Sequence, residues 1–217
     1  MERTEPVITL PEAEFESFIS VDVESAGPNP SQYSLLAIGA CSVRFPERNF
    51  YLELKPVNAL FQPKSLESCG LSLEKLAVEG VDPAEAMKRF ATWLKEVVPP
   101  ELRPVFVGFN APFDWMFVND YFHRYLGCNP FGHAALDIKS YYMGMARVPW
   151  SETTMQYLGS RYLSQPALVH HALRDALDQG EIFRKLLLEA AEQQHGSRRD
   201  AAERILNEQN QTKNCQS

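Results

Sequence analysis

Residues 20–25 read SVDVES, directly after the apolar pair Phe18-Ile19. The pattern predicts a first strand over 17–24, and on a strand Asp22 and Glu24 point to one face. Strands are depleted in Asp, and a carboxylate removed from water is costly unless it is paired or holds a cation. Two like charges on one face also repel each other. Any fold for this chain must answer that pair. Either the acids stand at a solvated strand end, or the fold brings cations or partners to them. Alone, Asp-x-Glu does not choose.

The neighbouring segments narrow the architecture. Residues 35–44 (LLAIGACSVR) read as a second strand, with Gly39 and Ala40 small enough for close packing. Residues 48–55 (RNFYLELK) alternate apolar and polar, as a half-buried third strand does. The intervening FPER, with Pro46, suits a hairpin, so an antiparallel meander is expected. An irregular stretch over 56–81 holds a short helix (LSLEKLAV). Asp82-Pro83-Ala84-Glu85 then opens a helix that runs to Pro99-Pro100. Residues 104–109 (PVFVGF) form a continuous apolar strand of the parallel-sheet kind. Asn110 is placed to cap the next helix, APFDWMFVNDYFHRYL, which stops at Gly127. A weaker strand at 133–138, helical patches at 138–146 and 151–163, and a long helix over about 171–193 complete the chain. A meander followed by strand–helix alternation indicates an α/β fold with a mixed sheet. One domain is expected over 17–193. An extension precedes it at 1–16, and a polar tail at 196–217 is expected to be flexible.

Charge and composition remove some functions. The 217 residues carry a formal net charge of −7. That argues against gripping long nucleic acid through many phosphate contacts. It is compatible with a small pocket in which divalent cations reverse the local sign. The longest apolar runs fall far short of the roughly 20 residues that span a bilayer. The acidic start, MERTEPVITLPEAEFE, lacks the basic-then-apolar pattern of an export signal. A soluble cytoplasmic protein without a membrane partner is expected. Cys41, Cys69, Cys128 and Cys215 are widely spaced, without a CxxC pair, and read as free thiols.

Two further acids stand out. Asp114 falls in the first turn of a helix that follows a sheet strand, where ligand sites in α/β sheets gather. A solvated partner for the helix dipole would also fit there, although Phe113, Trp115, Met116 and Phe117 are unusual company for one. In 169–183 (VHHALRDALDQGEIF) a turn of 100° per residue separates the acids. Asp178 falls with Arg174, Glu181 and Lys185 on a charged face. Asp175 falls beside Ile182 and Leu186, on the flank of the apolar arc, and so needs a partner. His170 lies five residues before it.

Taken in order, D-x-E at 22–24, N-A-P-F-D at 110–114 and H-x-A-L-x-D-A at 170–176 resemble the three motifs of the DEDD exonucleases. The His-bearing third motif resembles that of the histidine subclass, DEDDh, with its ribonuclease H-like fold. The resemblance spans about residues 17–190. It implies a mixed five-stranded sheet, three strands antiparallel and then parallel, with helices on both faces. It implies hydrolysis from the 3′ end of single-stranded or short DNA or RNA, release of nucleoside 5′-monophosphates, and two Mg²⁺ or Mn²⁺ ions. Asp22 would bridge both ions, Glu24 and Asp175 would complete the site of the water-activating ion, and Asp114 would serve the second. His170 would take the proton of the attacking water. His171 is the competing base, and the five-residue spacing of the motif selects His170.

The resemblance also sets Ser25, Ala26, Gly27 and Asn110 beside the terminal nucleotide. Many relatives carry two hydroxyl residues before that Gly, and a His where this chain has Phe109. Many are homodimers, so a homodimer is one expected assembly. Tyr33, Phe113, Trp115, Tyr141, Tyr142 and Trp150 are candidates to stack on bases, although aromatics on apolar helix faces are normally buried. Arg147, Arg161 and Arg174 are candidates to meet phosphates, Arg174 less so on its charged face. Two other functions compete: a two-metal hydrolase of small nucleotides, and a non-catalytic ribonuclease H-like binding module. The binding module would not need four inward acids.

Overall fold

A computed structural model describes residues 16–164 and 170–214, with side chains described as far as Gln193. The chain divides into two compact units. Among the described residues, one runs from 16 to 184 and the other from 185 to 214. The first unit carries the sheet and every candidate site residue.

Five strands make one sheet: β1 (Glu16–Ser25), β2 (Leu35–Ser42), β3 (Asn49–Glu53), β4 (Arg103–Gly108) and β5 (Ala135–Asp137). Their spatial order is β3-β2-β1-β4-β5, so β1 is central. It pairs antiparallel with β2 and parallel with β4, as the meander and the apolar run at 104–109 predict. The pleat sorts β1 into two faces. Ile19, Val21 and Val23 are buried in the main core with Phe90, Phe117, Val118 and Tyr121. These partners come from helices α3 (Pro83–Val97) and α4 (Ala111–Leu126). Ser20, Asp22 and Glu24 face the other way, toward the first turns of helix α7 (Ala172–Asn214).

Close approach of α7 rests on two glycines. A β-carbon on Gly39 would overlap the backbone of Ala172 and Leu173. One on Gly180 would press at 3.2 Å against Cys41 and Ser20. The helix backbone therefore lies almost on the sheet.

Helix α3 starts as its sequence predicts: Asp82 Oδ1 accepts from the N–H groups of Ala84 and Glu85, and Pro83 holds the first position. Helix α5 (Ile138–Ala146) also matches its predicted span. Four expectations change. The stretch 56–81 holds two short helices, α1 (Pro63–Cys69) and α2 (Leu73–Glu79), because Gly70 takes a left-handed φ of 66° and ends the first. The patch at 151–163 is a 3₁₀ turn (Trp150–Glu152) followed by helix α6 (Met155–Tyr162), with the Thr154 side chain capping α6. Asn110 does not cap α4; it adopts a left-handed φ of 65° and makes no capping side-chain bond. Asp137 does part of that work from β5, its Oδ2 accepting from Ala111 N–H at 2.9 Å. Finally, α7 continues to Asn214 rather than ending near 193. The segment after Gly196 is polar, but it is rich in Ala, Glu, Arg, Leu and Gln and has no Pro to stop a helix.

Candidate active site

The site forms where β1 and β4 part. The β1–β4 ladder ends at Ser20–Val107. Beyond it, β1 runs on with no neighbouring strand on its β4 side. Phe18 gives its carbonyl to Val43 on the β2 side, so alternation turns the backbone groups of Val21 and Val23 toward the β4 side. Among the groups left without a strand partner are the Val21 carbonyl and the Val23 N–H. Such groups must find partners when buried.

Asp114 takes the second: Val23 N–H donates to its Oδ1 at 3.0 Å. Pro112 lies in the first turn of α4, and Asp114, 4% exposed, enters the gap beside β1 from the same turn. A solvated helix-dipole partner is therefore ruled out. Gln179 takes the first, its Nε2 donating to Val21 O at 3.1 Å.

Asp22, Glu24 and Asp175 converge, each offering a carboxylate oxygen, and these oxygens all lie within 4.8 Å of one another. Asp22 and Glu24 share the β1 face. Asp175 comes from the first turn of α7, held close by the space at Gly39. Asp178, three residues on, is not in this group. It pairs with Arg174 at 3.3 Å and is more enclosed than a freely solvated face implies.

The electrostatics follow from that convergence. Burial, then the charges of Asp114, Glu24 and Asp175, hold the Asp22 carboxyl well above its ordinary range. Burial and Asp175 push Glu24 up to about 7. Burial pushes Asp114 up to about 8, against the opposing hydrogen bond from Val23. Asp175 rises to about 6, burial outweighing a backbone hydrogen bond near His171 and the nearby His170 charge. Three acids with oxygens directed at one point, and a fourth, Asp114, buried beside them, resist ionising together and suit a hard divalent cation that prefers carboxylate ligands.

The two histidines separate. His171 is exposed but stacks on Tyr51 of β3, ring centroids 4.6 Å apart, and its carbonyl accepts from Asp175 N–H. His170 is exposed, and its charge acts on Asp175. His123 and His133 are exposed on the surface; the side chain of His195 lies outside the described residues.

Ser25, Ala26 and Gly27 are buried beyond an irregularity in the β1–β2 register. Ser25 Oγ donates to Gly27 O at 2.8 Å, Ala26 N–H to Ser34 O, and Gln62 N–H to Ala26 O. Gly27 leaves room for the ring of Tyr33. Among the aromatic candidates, Tyr142 is buried, while Trp115 packs on Phe106, Tyr141 on Phe183 and Phe113 on Phe117. Trp150 is 51% exposed, with Lys139 Nζ 4.1 Å from its ring centre. Arg161 lies over the ring of Tyr162, and Arg147 is the exposed left-handed cap of α5.

Sequence reasoning passed over Gln179. The signal was present: it lies one turn after Asp175, only about 40° away at 100° per residue. An uncharged amide on that inward arc needs partners as much as an acid does.

A mixed sheet with this acid cluster beside its central strand defines a ribonuclease H-like nuclease. No family model matches the chain. It is 50% identical over 169 residues to the 3′-5′ DNA exonuclease Cap18 of Escherichia coli, across 78% of this chain and 90% of that protein. The chain belongs to the DEDDh 3′–5′ exonucleases. Its fold is similar to the nuclease domain of 3′hExo, a DEDDh family member solved with rAMP, with a TM-score of 0.66 and 14% identity. That match covers 82% of this chain and 95% of the other. It is also similar to E. coli Exonuclease I in complex with a dT13 oligonucleotide, with a TM-score of 0.64, 16% identity, and coverage of 79% and 41%. No described helix is long and apolar enough to cross a membrane.

Proposed function

We propose that this 3′–5′ exonuclease degrades single-stranded or short DNA, releasing nucleoside 5′-monophosphates with two divalent cations, Mg²⁺ or Mn²⁺, held by Asp22, Glu24, Asp114 and Asp175. The observation that carries the reading is the convergence of Asp22, Glu24 and Asp175 oxygens within 4.8 Å, with Asp114 buried beside them. When bound, a pair of such cations supplies charge stabilisation for the attacking and leaving oxygens of an in-line displacement.

The chain's own residues do the rest. His170 takes a proton from the attacking water; its exposure and its position just before α7 support that role. His171 is engaged with Tyr51, which favours His170 as the base. As the new P–O bond forms, the bond from phosphorus to the penultimate 3′-oxygen breaks, and that oxygen collects a proton. The Ser25–Gly27 turn, which follows Glu24 in the chain, and Asn110, which precedes the α4 turn that carries Asp114, would shape the seat of the terminal nucleotide. DNA is favoured by the likeness to a DNA exonuclease. A net charge of −7 favours a short grip at the 3′ end.

The test is digestion of matched DNA and RNA strands and of free nucleotides, with the products separated by charge. Faster release of deoxynucleoside 5′-monophosphates supports the reading. Preference for RNA would overturn the choice of DNA, and cleavage confined to free nucleotides would favour a small-nucleotide hydrolase instead.

A further inference from the structure

We infer that Gln179 is a positioning residue that sets the geometry of the four acids by replacing a missing rung of the sheet. Pro104 of β4 has no N–H, and at that position β4 has no β5 partner. Alternation therefore turns the odd-numbered residues of β4 toward β1. The rung after Ser20–Val107 would join Phe109 N–H to the Val21 carbonyl. The strands part there, and the Gln179 side chain stands between the two groups. Its Oε1 accepts from Phe109 N–H, and its Nε2 donates to the Val21 carbonyl. The side chain thus acts as an inserted peptide group.

The residues that it joins are not arbitrary. Val21 immediately precedes Asp22. Phe109 precedes the left-handed Asn110 and the helix start that places Asp114. Gln179 itself lies one helical turn beyond Asp175. One amide, 1% exposed, therefore ties together the three segments that supply all four acids. Both amide ends are engaged, so the spacing between β1, α4 and α7 is fixed from both sides. An apolar side chain of the same length would leave a buried N–H and a buried carbonyl without partners, and the segments would shift to find water.

This inference rests on the reading that the acids hold divalent cations. The test is calorimetric titration of Mn²⁺ into the nucleic-acid-free full chain. It is run on the wild type, on Gln179→Met, which keeps length and removes the hydrogen bonds, and on Gln179→Asn, which keeps the amide but shortens its reach. Outer partners of metal ligands typically govern affinity by about 10–100-fold. Both variants should bind Mn²⁺ at least about tenfold more weakly, and saturating Mn²⁺ should recover much of the lost cleavage rate. A purely structural role would lower the melting temperature without moving the Mn²⁺ midpoint. A folded Gln179→Met with wild-type Mn²⁺ affinity overturns the inference alone. If Gln179→Met does not fold, Gln179→Asn decides in the same way. A wild type that binds no Mn²⁺ removes the metal reading and this inference with it.

Discussion

The backbone of Ala172 occupies the space that a side chain on Gly39 would need. Gly39 pairs with Asp22 across β1 and β2, and Ala172 begins the helix that delivers Asp175. A missing β-carbon on one strand thus lets an acid from α7 meet two acids on the neighbouring strand. Replacing Gly39 by Ala places a methyl group in the helix backbone, and Val adds more. Overpacking of this kind costs about 1–3 kcal/mol. A shift of about 1 Å at a reacting centre can cost around 100-fold in rate. Gly39→Ala should therefore lower the melting temperature and reduce cleavage by roughly that factor, read by thermal melts and initial rates. Wild-type rates would show that α7 does not need this contact.

The four acids predict an unusual dependence on pH. In the cation-free fold Asp175 titrates near 6, Glu24 near 7 and Asp114 near 8, while Asp22 is raised further by its burial and neighbours. Their ordinary values are 3.8 for Asp and 4.5 for Glu. A raised acid binds more protons in the folded state than in the unfolded one, so its contribution is full below about pH 4 and is lost as pH climbs through 6 to 8. Cation-free protein should lose stability over that window relative to an Asp22→Asn/Glu24→Gln variant. Each kcal/mol of relieved repulsion corresponds to roughly 2–4 °C in melting temperature. Added Mn²⁺ should reverse the order at pH 8 and do little at pH 5, because its ligands must shed protons first. Calorimetric melts at pH 5 and pH 8, with and without Mn²⁺, measure both effects. Parallel melting curves at the two pH values would contradict the shifted titrations.

Asp175 and Asp178 lie one turn apart on α7 and should behave differently. Asp175→Asn should abolish measurable cleavage, since it removes one of three converging carboxylates. Asp178→Asn breaks a pair with the half-exposed Arg174, an interaction typically worth about 0–1 kcal/mol, and should leave the rate within a few-fold. Steady-state rates on one labelled strand compare the two. Equal losses would mean that the helix phase does not govern the site.

His170 and His171 should also part. His170→Ala should slow turnover by about 100- to 10,000-fold, the usual range for a general base, with Mn²⁺ affinity largely retained. His171→Ala removes a ring stacked on Tyr51 and should act mainly on the seating of the α7 start. A weaker Mn²⁺ titration with a smaller loss of turnover at saturating metal is expected. Turnover at saturating Mn²⁺ separates them: the larger loss should fall on His170→Ala. The larger loss in His171→Ala would move the base to His171.

Much of this was legible because it depends on local pattern. Period-two alternation in 17–24 sends Val21 and Val23 to the core and Asp22 and Glu24 to the opposite face. Helical phase on α7 puts Asp175 inward and Asp178 toward Arg174. The Asp82-Pro83 start of α3 is likewise a local matter. What escaped depends on how strands part in space. The burial of Asp114 comes from the Val23 N–H that β4 leaves unpaired, and no reading of 110–117 alone contains that fact. Asn110 has the right chemistry for a cap but the wrong backbone, because the turn from β4 into α4 needs a left-handed residue there. Gln179 was missed because a neutral amide draws less attention than a charge, although its burial carries the same demand for partners.

The central claim is that acids from β1, α4 and α7 act as one cation-dependent site for removing nucleotides from a 3′ end. The most direct measurement follows a 5′-labelled single-stranded DNA in gel lanes over time. It compares wild type and Asp22→Ala in Mn²⁺, with wild type in EDTA as the third arm. The account predicts a ladder shortening from the 3′ end for wild type in Mn²⁺ and intact strand in the other two arms. A matching ladder from Asp22→Ala, or from wild type in EDTA, would contradict it.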